Sequence, residues 1–308
     1  VYVKGATVSF PAQHTPGGST YSYNAKVAQY VGAEVSQVGK CSTCTSDWLS
    51  FGQPTFGGNL QANKMFYSPG QPVETWAKGH NRKDQESTLP PSVLQLICLD
   101  DPKTTPAIAA NYVKSIPLGQ PVIMILSQEY EGGGKWTSPS AFLHWFVPIA
   151  AAIKDVGNPD VWVCADSSGY AYHKGQHAAD GSWIVPPDYV DAYGLDCYQN
   201  QAGGKWPTNG LEGYDEFQNW LAHTGHSGKP LMICEYGVNN TASDAARAER
   251  IALDATYLLS DKTPPWHAWL YWYSDCTGGV LSTDAAHQHQ FHDQPTIALW
   301  TAICKGTF

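Results

Sequence analysis

Pro121-Val122-Ile123-Met124-Ile125-Leu126-Ser127 is an almost unbroken apolar run, and it leads directly into Gln128-Glu129-Tyr130-Glu131 and a triple glycine at 132–134. Ser138-Pro139 then opens a stretch of helical periodicity that lasts to Asp155. A short run apolar on both faces is the mark of a parallel strand covered on both sides, and Ser-Pro is a helix start signal. The segment therefore reads as one βα unit with acids at the point where strand gives way to loop.

The same unit recurs in both directions along the chain. Strands are predicted at Val1–Phe10, Lys64–Tyr67, Val93–Leu99, Pro121–Ser127, Val161–Ala165, Tyr189–Leu195, Pro230–Cys234 and Trp266–Tyr273. Helices are predicted near 23–35, 107–115, 138–155, 213–224, 243–260 and 294–304, while 167–187 lacks helical periodicity, so that the fifth helix is short or missing. Alternating strands and helices in this number predict an α/β fold, a (β/α)8 TIM barrel. No linker, repeat or low-complexity stretch divides the chain, so one barrel over residues 1–308 is expected.

Composition narrows the class. The net charge of −9 disfavours nucleic acid and anionic membranes as partners, since both require a basic patch. No apolar run is long enough to span a bilayer. Twelve Trp and seventeen Tyr are a surplus of flat rings, suited to large cores and to a cleft on which the apolar faces of sugars stack. Cys98, Cys164, Cys197 and Cys234 sit in apolar runs and read as buried thiols, whereas Cys41-Ser42-Thr43-Cys44 lies in a polar stretch and reads as a local surface disulfide. That bridge, the low Lys content and the Asn239-Asn240-Thr241 sequon point to a secreted, extracellular protein.

In a barrel of this kind, reactive groups gather where strands end. Glu129 follows strand four and Glu235 follows strand seven, in Ile233-Cys234-Glu235-Tyr236-Gly237; Asp100-Asp101, Asp166, Asp196 and Asp275 close other strands. Two carboxyls facing across one mouth suit glycosidic cleavage. One protonates the leaving oxygen, and the other stabilises or attacks the developing oxocarbenium ion. Glu131 is a rival to Glu129 for the acid, because residues two apart on a strand share a face; Glu129 is preferred because the triple glycine at 132–134 suggests that the strand has already broken at Glu131.

At these residues the chain resembles the glycoside hydrolase clan of barrels that carry glutamates on strands four and seven, with the mannanase-like barrels of glycoside hydrolase family 26 as the nearest likeness. The resemblance covers strands four to eight. It implies a retaining, double-displacement hydrolase with Glu129 as acid/base and Glu235 as nucleophile, endo-acting on a β-linked glycan such as β-mannan. Gln128 stands where that clan usually has Asn or His, and its amide is expected to hydrogen-bond a sugar hydroxyl. Gly194-Leu195-Asp196-Cys197-Tyr198 resembles the clan's Gly-x-Asp-x-Tyr element, with Tyr198 expected on the nucleophile and Asp196 on a loop or a hydroxyl. Trp272 resembles its sugar-platform tryptophan.

Trp136 and Trp206, in glycine-rich loops, are candidate outer platforms. The expected partner is a polysaccharide or oligosaccharide, acted on by a monomer with no cofactor and no metal. The His287-Gln288-His289 stretch reads as a solvated loop. Gln128 also leaves open a barrel that binds glycan without cleaving it.

Overall fold

In the computed structural model, the described residues are 7–9, 22–24, 30–35, 52–67, 69–70, 72–73, 75–76, 89–90, 92–132, 134–172, 176, 178–199, 213–223, 228–239, 243–258, 266–273, 276–277, 280–281, 291 and 293–306. Eight strands form one sheet that curls nearly to closure: β1 Tyr30–Val35, β2 Ala62–Tyr67, β3 Leu94–Leu99, β4 Val122–Leu126, β5 Val161–Ser168, β6 Ala192–Gln199, β7 Leu231–Val238 and β8 Trp266–Tyr273. Neighbours from β2 round to β8 pair in parallel, and β8 pairs in parallel with β1. A main-chain bond from Gln61 N to Val31 O, 2.9 Å, brings β1 against β2. This is the expected (β/α)8 barrel.

The first strand departs from the expectation. The predicted strand over residues 1–10 is described only at Thr7–Ser9, which pairs antiparallel with Ser22–Asn24 in a separate two-stranded sheet. The barrel strand is instead Tyr30–Val35, within the stretch expected to be helical. The physical reason is pairing. Val31 and Ala33 point outward into the core, and Gly32 faces a neighbour so close that a Cβ there would lie 2.1 Å from the Ala62 carbonyl oxygen. Only a glycine permits that approach, which is why it sits inside a strand it would otherwise weaken.

Helices follow most strands: α1 Pro106–Lys114, α2 Pro139–Asp155, α3 Tyr214–His223, α4 Asp244–Leu258 and α5 Gln294–Lys305. Their starts are chemically marked. Thr105, Ser138 and Asp293 accept bonds from the backbone N–H three residues on, at 3.3, 3.2 and 2.7 Å, and each is followed within two residues by Pro. After β5 only the 3-10 turns Gly169–Tyr172 and Pro187–Tyr189 occur among the described residues, as the weak periodicity there foretold.

Leu94, Leu96, Ile123, Ile125, Trp162, Ala192, Met232, Ala268 and Leu270 fill the barrel interior. A larger apolar layer, including Phe142, Phe146, Tyr236, Trp269 and Trp300, lies between sheet and helices. Cys98, Cys164, Cys197, Cys234 and Cys304 are buried and stand in no disulfide; Cys41 and Cys44 lie outside the described residues. Among the described residues, no helix is long and apolar enough to cross a membrane.

Candidate active site

Towards the C-terminal ends of the strands, the interior changes from apolar to charged. Lys64 of β2, Asp166 of β5, Asp196 of β6 and Glu235 of β7 all turn inward and are almost wholly buried. Several of these strands run further than their apolar cores. Asp166, Asp196 and Glu235 lie within strands, not after them, because the ladders continue into the mouth on polar residues.

Glu235 reaches the interior through a break in alternation. Leu195 pairs with Ile233 but Asp196 pairs with Glu235, and β8 shows the same shift between Trp269 and Tyr271. One extra residue, Cys234, therefore sits in β7 as a bulge. Met232 and Cys234 face inward. Strict alternation would turn Glu235 out toward the helices, and the bulge turns it in instead. Tyr236 then points outward, where its hydroxyl donates to Asp254 Oδ2 at 2.7 Å and Arg250 holds that carboxylate through both oxygens. Gly194 makes room beside the bulge. A Cβ on it would lie 2.6 Å from Cys234 Sγ, 2.7 Å from Asp166 Oδ1 and 3.0 Å from Cys164 Sγ.

Three donors converge on the Glu235 carboxylate. Lys64 Nζ donates to Oε1 at 2.8 Å, Gln128 Nε2 donates to the same oxygen at 2.5 Å, and the Tyr198 hydroxyl donates to Oε2. Such a shell suits an ionised carboxylate, an acceptor only. Lys64 also binds Asp166 Oδ2 at 3.2 Å and lies 3.8 Å from Asp196 Oδ1. Burial would drive the Lys64 ammonium to lose its proton, but Asp196, Glu235 and Asp166 together outweigh burial and hold its pKa well above the usual lysine range. One cation among three carboxylates leaves negative charge in excess. The Asp196 carboxyl is accordingly pushed well up by burial and then by Asp166 and Glu235, while Asp166 is raised by burial against the pull of Lys64.

Glu129 has the opposite environment. It lies in a turn beyond β4, with Ser127 and Glu129 both in the left-handed region at φ 59° and 45°. Backbone strain of this kind persists only where the surroundings fix it, and it gathers at functional sites. Burial, then the nearby charges of Glu235 and Asp166, raise the Glu129 pKa to about 7; Lys64 and a hydrogen bond from Ser168 offset part of that rise. Close to neutral pH this group both holds and releases a proton, while Glu235 is surrounded by donors. The mouth thus holds a carboxyl raised toward neutral pH and, near it, one that accepts from three donors.

Glu131 takes a different place from its rival. The turn removes the strand geometry that would have aligned the two. Glu131 is buried with Oε1 accepting from Ser168 N at 2.5 Å, and burial pushes its pKa well up. Gln128 spends both amide hydrogens on protein, on Glu235 and on Asp196 Oδ2 at 2.8 Å, and its side-chain oxygen accepts from Cys98 Sγ at 3.8 Å, so the amide is held by the protein at both ends. Asp196 therefore fixes Gln128.

Trp272, half-buried near the end of β8, packs edge-on against Phe66 at 6.0 Å. Trp136 is partly buried and packs on Trp145 at 4.9 Å, with its indole N–H donated to Ser127 Oγ at 3.0 Å. That placement supports the turn beneath Glu129. Trp206 and the His287-Gln288-His289 stretch lie outside the described residues.

Sequence reasoning missed Lys64 as a site residue. The signal was present, since Lys64 is the one charged residue within Ala62–Tyr67, and a charge inside a buried strand must be paired. Ser168, which touches both Glu129 and Glu131, carried no such mark.

No protein-family model matches the sequence, and no curated protein matches it. Solved structures do share the fold. A glycoside hydrolase family 128 (subgroup II) endo-β-1,3-glucanase from Sorangium cellulosum is 14% identical, over 88% of this chain and 98% of its own, with a TM-score of 0.51. A variant of an endo-β-1,4-glucanase from Xanthomonas axonopodis pv. citri is 14% identical over 90% and 99%, with a TM-score of 0.54. The glycoside hydrolase family 26 domain of an endo-β-mannanase/endo-β-glucanase from Prevotella bryantii is 12% identical over 91% and 89%, also at 0.54. At such identities the likeness is one of fold.

Proposed function

We propose that this protein is a retaining glycoside hydrolase that cleaves a β-linked polysaccharide within the chain, through a catalytic barrel spanning residues 1–308. Glu129 is the acid/base and Glu235 the nucleophile. The observation that carries the reading is the contrast between them. Glu235 accepts from Lys64, Gln128 and Tyr198, which aim its carboxylate, whereas burial and nearby carboxylates raise Glu129 to about 7. A carboxyl that three donors hold suits the nucleophile, and one raised toward neutral pH suits the acid.

In the first step Glu129 gives its proton to the glycosidic oxygen while Glu235 attacks the anomeric carbon, so that the leaving sugar departs as an alcohol and a glycosyl ester remains on Glu235. Glu129, now anionic, takes a proton from water. The resulting hydroxide equivalent displaces Glu235 and restores both groups. Lys64 and Tyr198 hold the carboxylate that is released, and Trp272 offers a face on which the sugar ring stacks.

Neighbours of the same fold are endo-acting on β-1,3-glucan, β-1,4-glucan and β-mannan, which supports an open β-glycan substrate and broadens the range beyond mannan. A substrate of that size is met outside the cell, and action as a secreted monomer is part of the proposal. The test is a screen of β-mannan, β-1,3-glucan, β-1,4-glucan and xylan with product sizing, repeated with Glu235→Gln. Wild type should release oligosaccharides from one of these, and the folded variant should release almost none. A variant that cleaves as well as wild type would remove Glu235 from the chemistry. Binding without cleavage by wild type would make the barrel a glycan-binding module.

A further inference from the structure

The reading of Glu129 as acid/base leaves open what keeps it in place. Its turn begins where β4 ends at Leu126, and two of the next three residues adopt positive φ without being glycine. A free chain would relax to negative φ and swing the carboxyl away. The residue between them, Gln128, is gripped by both of its backbone groups. Gln128 N donates to Asp100 Oδ1 at 2.9 Å, and Gln128 O accepts from Lys135 Nζ at 3.3 Å. Asp100 Oδ2 and Lys135 Nζ meet at 2.9 Å, which closes a ring around that residue. The flanks are tied as well, by Ser127 N to Leu99 O at 3.0 Å and Glu129 N to Asp166 O at 3.0 Å. The Gln128 side chain is held by Glu235 and Asp196, and the ion pair holds its backbone.

We propose that Asp100 and Lys135 are positioning residues, a clamp on the Gln128 backbone that sets the Glu129 carboxyl in the mouth and the Gln128 amide on Glu235. The inference rests on the assignment of Glu129 made above. The groups acting on the Glu129 carboxyl, besides burial, are Glu235, Asp166, Lys64 and Ser168, so the clamp acts through the backbone. Lys135 and Asp100 keep 28% and 17% of their side chains exposed. An ion pair that wet contributes little to stability. A misplacement of about 1 Å at a catalytic group, by contrast, can cost about a hundredfold in rate. Loss of the clamp should therefore cost activity far more than it costs folding.

The experiment uses protein labelled with 13C at the glutamate carboxyls, in wild type and in Lys135→Met, Lys135→Arg and Asp100→Asn, with the Glu129 resonance identified by its absence in Glu129→Gln. Wild type should titrate near 7. In Lys135→Met the Glu129 midpoint should fall by about one unit or more toward an ordinary glutamate, because the carboxyl leaves its buried position. Lys135→Arg should restore it, and Asp100→Asn, which keeps an acceptor for Gln128 N but loses the charge, should fall between. On the polysaccharide that wild type cleaves, kcat of Lys135→Met should drop about tenfold or more with KM little changed. A Lys135→Met midpoint equal to wild type would overturn the clamp, even if Glu129→Gln is inactive. Full turnover by Glu129→Gln would overturn the acid/base assignment instead, and the NMR midpoint would still report on the clamp.

Discussion

Replacing Lys64 with Met keeps the length of the side chain and removes the cation shared by Asp166, Asp196 and Glu235. At 2.8 Å from Glu235 Oε1 and an effective dielectric of about 20, the gross attraction is about 6 kcal/mol, before the cost of burying the ammonium. Removing one partner of a buried pair costs about 3–5 kcal/mol, since the other charge is left unpaired. In a chain of this size that corresponds to a fall in Tm of roughly 5–8 °C. The loss must also depend on pH, and its sign follows from the carboxyls. Asp166 and Asp196 already have raised folded pKa values, and without Lys64 they rise further. A carboxyl raised by folding favours the folded state at low pH and loses that contribution as pH climbs through its folded value. Lys64 itself is raised above the ordinary lysine value, so its own titration lies in the alkaline range and leaves pH 5–8 unaffected. The deficit of Lys64→Met against wild type should therefore be smallest near pH 5 and largest near pH 8. Differential scanning calorimetry of both proteins across that range measures it directly. A variant as stable as wild type, or a deficit that does not grow with pH, would refute the account of the charged floor.

Other consequences are equally concrete. The basic limb of kcat/KM should lie near pH 7, because Glu129 loses the proton it must donate as pH rises through about 7, and a profile flat to pH 9 would contradict that role. Gly194→Ala forces a methyl group to within 2.6–3.0 Å of Cys234, Asp166 and Cys164, and should cost about 1–3 kcal/mol in urea unfolding together with most of the activity. Tyr236→Phe strips Asp254 of one of its donors and should cost about 1–3 kcal/mol by the same measurement, with Arg250 still holding the carboxylate.

The barrel was legible where strands are apolar on both faces, as in Val122–Leu126 and Leu94–Leu99. It was not legible at Tyr30–Val35. There, Gly32 and Ala33 carry little strand propensity of their own, and the conformation is imposed by β8 on one side and the close approach of Ala62 on the other. At the site, the acids after strands four and seven could be picked out because charge at the end of a buried run needs a purpose. Their orientation could not. A period of two from Met232 and Cys234 turns Glu235 away from the mouth, and only the bulge, seen in the pairing of three strands, reverses it. Glu129 is preferred to Glu131 from the sequence because the triple glycine marks the end of the strand, and a turn with two positive φ values separates them. Lys64 stood at the predicted start of a strand, although β2 begins two residues earlier and places it inside.

The division of labour between the two glutamates is tested most directly by trapping. A 2-deoxy-2-fluoro β-glycoside of the sugar that the enzyme cleaves slows release of a covalent intermediate, and peptide mapping by mass spectrometry locates it. The account predicts a glycosyl adduct on the peptide carrying Glu235, on its carboxylate. An adduct on Glu129 or Glu131, or turnover with no adduct and products of inverted configuration, would contradict it.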